Sequence, residues 1–157
     1  MRRNGFTYIE VIFTVAIVAL MATAVVPYVE VTVTRKKEAE LRQSLRDIRT
    51  ALDEFKKAVD ESKIEMPADA SGYPPSIDLL ATGVPNAQDP QKRMIYFLRR
   101  IPRDPMYEGP SEVTPSETWG LRSYDSPPDA PQEGKDVFDV YSTNTSPGLN
   151  GVPYSEW

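Results

Sequence analysis

Residues 5–29 read GFTYIEVIFTVAIVALMATAVVPYV, and this segment indicates how the chain is organised. Within it, the 19 residues 11–29 carry no charged side chain, and Val, Ile, Ala and Leu dominate them. A helix rises 1.5 Å per residue, so this run would extend roughly 28 Å, about the hydrocarbon thickness of a bilayer. The segment therefore predicts one membrane-spanning helix. Tyr8 and Tyr28 flank it, at positions that suit a membrane–water interface.

The residues alone leave three interpretations of this apolar segment open. A secretory signal peptide would use Arg2 and Arg3 as its basic region and Ala22-Thr23-Ala24 as a cleavage site, but the apolar run exceeds the usual length of a signal core. A twin-arginine signal would use the same two arginines. A retained transmembrane helix fits the length best. Its orientation is undecided, because basic residues occur on both flanks.

Charged residues and prolines divide the 157 residues into three regions. Residues 1–34 carry two basic and two acidic side chains, and residues 35–63 carry nine basic and seven acidic ones. Residues 64–157 carry seven basic and fourteen acidic side chains, together with fourteen of the 15 prolines. This division predicts an apolar segment, then a charged helix, then a proline-rich head.

The amino-acid content excludes several classes of function. The sequence has no cysteine and no histidine, which removes disulfides, cysteine nucleophiles, imidazole acid–base chemistry and most zinc sites. The net charge of −5 has the wrong sign for binding a phosphate backbone, so we expect no nucleic-acid partner. No glycine-rich phosphate loop or nucleophile motif occurs, and we expect that the protein is not an enzyme.

An apolar stripe marks the second region as an amphipathic helix. Its members recur at helical steps of four and three residues: Leu41, Leu45, Ile48, Leu52, Phe55 and Val59. The region contains no proline or glycine, so we expect the helix to continue to about Ser62. On its charged faces the spacing predicts the ion pairs Glu38–Arg42 and Asp53–Lys57. We expect the stripe to pack on the head, with a coiled coil as the alternative.

The third region predicts short elements joined by loops. Ser76 would cap a short helix over residues 77–81 that ends at Gly83. Residues 121–124 and 137–142 have the composition of strands. We therefore predict an α+β fold, in which a long N-terminal transmembrane and amphipathic helix packs on a small antiparallel sheet with a loop-rich C-terminal region.

The segment Gly5-Phe6-Thr7-Tyr8-Ile9-Glu10, after a short basic leader, resembles the N-terminus of type IV pilins and pseudopilins. In that family a prepilin peptidase cuts after the glycine and methylates the new N-terminal residue. The fifth residue after the cut is a glutamate. The resemblance implies cleavage between Gly5 and Phe6, N-methylation of Phe6 and an assembly role for Glu10. Tyr8 departs from the family, which favours leucine there.

The same resemblance implies roles for Glu10 and Pro27. The family's glutamate pairs with the N-terminal ammonium of a neighbouring subunit, so Glu10 and the amine of Phe6 would set the axial register of a helical filament. Opposite charges attract strongly in a medium of low dielectric, and each is penalised when it is unpaired. Pro27 removes one helix hydrogen bond. It would either kink the helix or let this stretch melt when the subunit enters the filament.

The head resembles the G-type major pseudopilins of type II secretion. The matching residues are Tyr73-Pro74, the segment 98–105, Trp119-Gly120, the segment 136–142 and Trp157. In this sequence an insertion, residues 106–118, separates Asp104-Pro105 from Trp119-Gly120. The resemblance covers nearly the whole chain and implies a pilin-like fold.

Calcium binding is the property on which this chain departs from the G-type pseudopilins. Those proteins bind calcium in the C-terminal loop through several aspartates, whereas Ca²⁺ affinity here would depend on few charged oxygens. Asp139, Asn144 and Glu156 are weak candidates for metal ligands. We favour the absence of a cofactor, with the loop held by its prolines and by the packing of Tyr154 and Trp157.

The residues and the resemblance together predict four segments. These are a leader peptide (1–5), a transmembrane and polymerisation segment (6–29), an amphipathic helix (30–63) and a periplasmic head (64–157). The predicted function is that of a structural subunit, the major pseudopilin, of the filament of a type II protein secretion system. The predicted location is the bacterial inner membrane, crossed once, with the head in the periplasm.

The expected partners follow from the resemblance. They are further copies of the chain in a helical homopolymer, minor pseudopilins, the prepilin peptidase, the inner-membrane assembly platform and the lipid bilayer. Two alternatives stay open: a type IV pilin or minor pseudopilin of a related filament, and a membrane-anchored accessory domain that does not polymerise. The absence of cysteine favours a pseudopilin over those pilins that pin their C-terminal region with a disulfide. A simple anchor would have no use for Glu10.

Overall fold

The structure is a computed structural model that describes residue 5 and residues 7–157, without the side chains of residues 23–28. In chain order its elements are α1 (Tyr8–Asp60), α2 (Leu79–Thr82), β1 (Val84–Pro85), β2 (Met94–Ile95), a 3-10 helix (Pro115–Thr118), β3 (Trp119–Arg122), β4 (Asp139–Ser142) and a second 3-10 helix (Tyr154–Glu156). The fold is α+β with a long N-terminal helix, as predicted, and it has two small antiparallel sheets where one was predicted. The chain divides after Lys36 into two units, and each is described by itself.

The first unit contains the N-terminal part of α1. Glu10 lies in the first turn, where a carboxylate interacts favourably with the positive end of the helix dipole. Its backbone N–H donates to the hydroxyl of Thr7 at 3.4 Å. The hydroxyl of Thr14 donates to the carbonyl of Val11 at 2.9 Å, so this polar side chain is satisfied by the helix itself.

The predicted membrane anchor is contradicted by the structure. Among the residues that the structure describes, no helix is both long and apolar enough to cross a membrane. This finding overturns the location predicted from the sequence, a bacterial inner membrane crossed once with the head in the periplasm.

In the second unit, α1 supplies one wall of the hydrophobic core. Five members of the predicted stripe are at most 2% exposed, and Val59 is half-buried against them: Leu41, Leu45, Ile48, Leu52 and Phe55. They pack on buried residues of the head, which include Ile77, Leu80 and Val140. The rings of Phe55 and Phe97 lie 5.3 Å apart. The prediction that the stripe packs on the chain's own head is confirmed.

α1 ends at Asp60 through a residue in the left-handed region. Ser62 has φ 58°, a conformation that favours glycine. The N–H of Lys63 donates to the carbonyl of Ala58 at 2.9 Å, and that of Ser62 donates to Val59 at 2.8 Å. These two bonds satisfy carbonyls of the last turn, in the pattern of a Schellman motif.

The head contains two separate two-stranded antiparallel sheets, β1–β2 and β3–β4. β3 starts at Trp119, two residues before the predicted strand, and pairs with Ser142 of β4. It starts there because the buried indole of Trp119 donates to the carbonyl of Pro102 at 2.8 Å. It ends at Arg122 because the next N–H, that of Ser123, leaves the ladder and donates to Gln132 at 2.9 Å.

The short helix α2 and the surface ion pairs differ in detail from the prediction. α2 starts at Leu79, and the hydroxyl of Ser76 accepts from the N–H of Asp78 at 3.2 Å in the turn before it. Gly83 ends the helix as predicted, with φ 80°. The ion pairs on α1 differ from those predicted: Lys56 pairs with Asp60 and Lys57 with Glu61, and among the described residues Glu38–Arg42 and Asp53–Lys57 do not form.

Candidate functional site

The residues assigned to processing and assembly lie at the start of the chain. Gly5 is exposed, and no atom lies within 4 Å of the position that a Cβ would take there. Glu10 is exposed on the first turn of α1, and within the described part of the chain its carboxylate forms no ion pair. Phe6 and the leader residues before Gly5 lie outside the described residues. Pro27 falls within the bounds of α1, and its side chain is also outside the description.

The N-terminal part of α1 is apolar around its whole circumference. Ten large apolar side chains are each at least 43% exposed: Tyr8, Ile9, Val11, Ile12, Phe13, Val15, Ile17, Val18, Leu20 and Met21. At 100° per residue they cover every side of the helix, so the described stretch 8–21 has no polar face comparable to that of the second unit. A helix that is apolar all round requires burial against other apolar groups.

In the second unit, the carboxylate of Glu38 binds the C-terminal loop. Glu38 is 5% exposed, although it lies on a helix with many charged residues. Its Oε1 accepts from the N–H of Leu149 at 2.6 Å and from the hydroxyl of Tyr154 at 3.2 Å. Burial, and then this hydrogen bond to a carboxylate, raise the pKa of the Tyr154 phenol. Glu38 is thus used to hold the loop and is not paired with Arg42.

Arg49 forms a second tie between α1 and the C-terminal residues. Its Nε donates to Oδ1 of Asp139 at 2.8 Å, and its Nη2 donates to the carbonyls of Val140 at 3.1 Å and Trp157 at 3.0 Å. The other oxygen of Asp139 lies 3.4 Å from Arg122. One planar guanidinium therefore joins the helix, β4 and the end of the loop, a geometry that a lysine ammonium does not reproduce.

The loop is also closed on itself. Pro147 and Pro153 form an isolated antiparallel bridge, and the rings of Tyr154 and Trp157 meet edge to face with centroids 5.1 Å apart. A Cβ at Gly148 would lie 2.7 Å from the indole of Trp157, so the ring packs directly on the backbone there. The interpretation that prolines and aromatic packing hold this loop is confirmed.

A buried carboxylate, Asp104, connects β4 to the segment between the two sheets. It is 2% exposed, and its Oδ2 accepts from the hydroxyl of Ser142 at 2.6 Å. Its Oδ1 accepts from the N–H of Met106 at 2.7 Å, and its own N–H donates to Thr118 at 3.0 Å. Burial raises the pKa of Asp104, while the two donated hydrogen bonds act in the opposite direction.

The three weak metal candidates have different partners in the structure. Asp139 is held by two arginines, and the amide of Asn144 donates to the carbonyl of Met106 at 2.8 Å and to Glu108 at 3.1 Å. Glu156 is exposed in the last 3-10 helix. Across the described residues, no group of three or more His, Cys, Asp or Glu side chains is placed to hold a metal ion.

Comparisons with protein-family models, with curated proteins and with solved structures found no match to this chain.

The sequence did not single out the polar ties Glu38, Arg49 and Asp104. Glu38 and Arg49 follow the spacing of an ordinary charged helix face, and nothing in their neighbours marks them as partly or fully buried. Asp104 lies in the Asp-Pro dipeptide of the head motif, which was the one available signal. Each of the three has at least one partner more than 35 residues away, a distance that local patterns do not encode.

Removing the Arg49 tie tests its contribution to the head. We expect Arg49→Gln to lower the free energy of unfolding by about 1–2 kcal/mol, a value reduced for the partial exposure of the guanidinium. The amides of residues 149–157 should exchange faster in hydrogen-exchange measurements, because the loop loses its tie to α1. Arg46→Gln, one helical turn away on the same helix and exposed, is the matched control. Equal stability and exchange in the two variants would show that Arg49 holds nothing.

The raised pKa of Asp104 predicts a dependence of stability on pH. The folded state keeps the proton of Asp104 to a higher pH than the unfolded state, whose ordinary value is 3.8. The stabilisation is therefore complete below that value and is lost as the pH rises through the raised pKa. We expect Asp104→Asn to gain stability relative to the wild type over this window and then to level off.

The measurement is urea unfolding of both chains across a series of pH values, with the exposed Asp129→Asn as the control. Parallel curves for the wild type and Asp104→Asn would contradict the role of Asp104.

Proposed function

We propose that this chain is a structural subunit of a type IV pilin-like filament, the major pseudopilin of a type II protein secretion system. The observation that supports this most directly is the exposed apolar surface of α1 over residues 8–21, with one carboxylate in the first turn. Further copies of the same helix would cover such a surface on every side. The α+β head on the second half of α1 is compatible with a pilin-like fold.

In this proposal Glu10 provides the specificity of assembly. Apolar contacts between helices are non-directional, so they do not fix how far one helix is displaced along the next. A carboxylate among them is costly until it meets a positive charge. The amine of a processed Phe6 in the neighbouring subunit would supply that charge, and the pair would select one axial register.

Processing precedes assembly in this proposal. The cut between Gly5 and Phe6 would remove the basic leader and create the amine that Glu10 needs. Gly5 is exposed and lies before the first helical residue, Tyr8, so a peptidase would not have to unwind α1 to reach the bond. The subunit itself would carry out no chemistry, and a separate assembly ATPase would supply the energy.

The C-terminal loop would be held without calcium. Both oxygens of Asp139 face arginines, and Asn144 is bound to Met106 and Glu108. The guanidinium of Arg49 would then do what a bound cation does elsewhere, because it neutralises a carboxylate and binds two carbonyls.

The assembly role of Glu10 is tested by its removal. We expect Glu10→Ala to abolish filament formation, seen by electron microscopy of the full chain co-produced with its prepilin peptidase, and to leave the folding of the head unchanged by circular dichroism. Glu30→Ala, on the same helix and also exposed, is the control and should assemble normally. Normal filaments from Glu10→Ala would refute the register argument.

The processing step is tested by mass spectrometry of the chain isolated from cells that contain a prepilin peptidase. We expect a mature N-terminus at Phe6 that carries one methyl group, and no residual Met1 to Gly5. A mature chain that begins at any other residue, or an unmethylated Phe6, would remove the pilin-like interpretation.

The calcium-free loop is tested by thermal unfolding of the protein with added Ca²⁺ and with a chelator. We expect the same Tm in both conditions, because a ligand stabilises only a folded state that binds it. A rise in Tm with Ca²⁺ that Asp139→Asn abolishes would show that the loop binds calcium.

A further inference from the structure

An open depression of about 380 Å³ lies on the second unit, between α1 and the C-terminal loop. Three arginines line it, Arg42, Arg46 and Arg49, together with the indole of Trp157. Glu156 is the one acidic residue in its lining. The depression is therefore basic on a protein whose net charge is −5. An acidic group is the kind of partner that such a surface binds.

Two of these arginines have charge that the head does not neutralise. Arg49 is paired with Asp139 at 2.8 Å, but Arg42 and Arg46 form no salt bridge with any described residue. The guanidinium of Arg42 lies 4.2 Å from the centre of the Trp157 ring, and Arg46 donates to the amide oxygen of Gln43 at 2.7 Å. Both arginines are exposed and held in place by these contacts. They are positioned to bind a carboxylate at little further cost in side-chain entropy.

The same unit carries an exposed acidic loop, residues 124–136. Its side chains Asp125, Asp129 and Glu133 are exposed and, among the described residues, form no ion pair. The loop is ordered by backbone bonds: the N–H of Ser123 donates to Gln132 at 2.9 Å, and that of Ala130 donates to Pro127 at 3.3 Å. Three prolines further restrict it. It presents several carboxylates on a backbone that binding would not have to order.

We propose that the arginine depression of one copy receives the acidic loop of a second copy. The two surfaces are complementary in charge, and a second copy is the one partner whose acidic loop is already present wherever the depression is. Because the two surfaces differ, the contact is head to tail and leaves one of each free at the ends. Such heterologous contacts build open chains unless the rotation closes a ring. The inference rests on the proposed filament function and adds a contact between heads to it.

Cysteine cross-linking of the full chain tests this contact, since the sequence has no cysteine of its own. Val152→Cys places a thiol in the depression, and Ala130→Cys places one in the acidic loop, with all the charges retained. Under mild oxidation we expect the double variant to form a ladder of disulfide-linked multimers. Each single variant should give no more product than the control pair Ala87→Cys with Ala130→Cys, which puts the first thiol on an exposed residue elsewhere on the head.

Charge reversal tests whether the arginines and the acids carry the contact. Adding either Arg42→Glu with Arg46→Glu, or Asp129→Arg with Glu133→Arg, should lower the cross-linked fraction roughly tenfold, and high salt should lower it as well. Mixing a Val152→Cys chain that has the first reversal with an Ala130→Cys chain that has the second should restore the product. A ladder that is indifferent to both reversals would overturn the proposed pairing.

The remaining outcomes separate this inference from the proposed function. Dimers from Val152→Cys alone would mean that two depressions face each other, and no excess over the control would mean that the depression has another partner. Either result overturns the inference, while filaments that still depend on Glu10 would leave the proposed function standing. A charge-dependent ladder together with normal filaments from Glu10→Ala would support the contact between heads and would refute the proposed role of Glu10.

Discussion

The burial of one stripe of α1 is the contact on which the rest of the head depends. Leu41, Leu45, Ile48, Leu52 and Phe55 are almost completely buried, and residues of α2, β1, β3, β4 and the second 3-10 helix lie in the same core cluster. The sheets have only two strands each, which is too few for independent stability, so the helix serves as the surface on which they form. The head therefore depends on α1, which forms one wall of its core. A substitution in the stripe would affect both sheets and the C-terminal loop.

Hydrogen bonds from polar side chains of α1 fix the conformation of the C-terminal loop. The stripe can fix how close the C-terminal loop lies to α1, but apolar contacts do not fix its conformation. Glu38 and Arg49 do so through hydrogen bonds to specific backbone groups of the loop. No buried side-chain nitrogen or oxygen in the described part of the chain lacks a partner, so these ties carry no uncompensated polar group. The loop is held by Glu38 and Arg49 of α1, and also by its own prolines and aromatic rings.

Local periodicity was enough to predict the helix and its buried stripe, because these depend on residues three and four apart. The short strands, and with them the α+β class, were predicted from residue composition. The observed β3 starts two residues before the predicted strand. Trp119 at its start is held by a hydrogen bond to the carbonyl of Pro102, which no local pattern specifies. The predicted Glu38–Arg42 pair does not form because Glu38 binds the loop. The predicted membrane location was wrong, because no helix among the described residues is both long and apolar enough to cross a membrane. The assembly residues Gly5, Phe6 and Glu10 came from the family resemblance, and they stay a prediction.

The exposed surface of the acidic loop does not contribute to the stability of the head. Its backbone is closed locally by the bond between Ser123 and Gln132, and its exposed side chains contribute nothing to the buried stripe. Substitutions there would change which surfaces the protein recognises without an effect on folding. If the loop binds a second copy as proposed, related chains with the same helix and core can differ in which copies they bind through this loop alone.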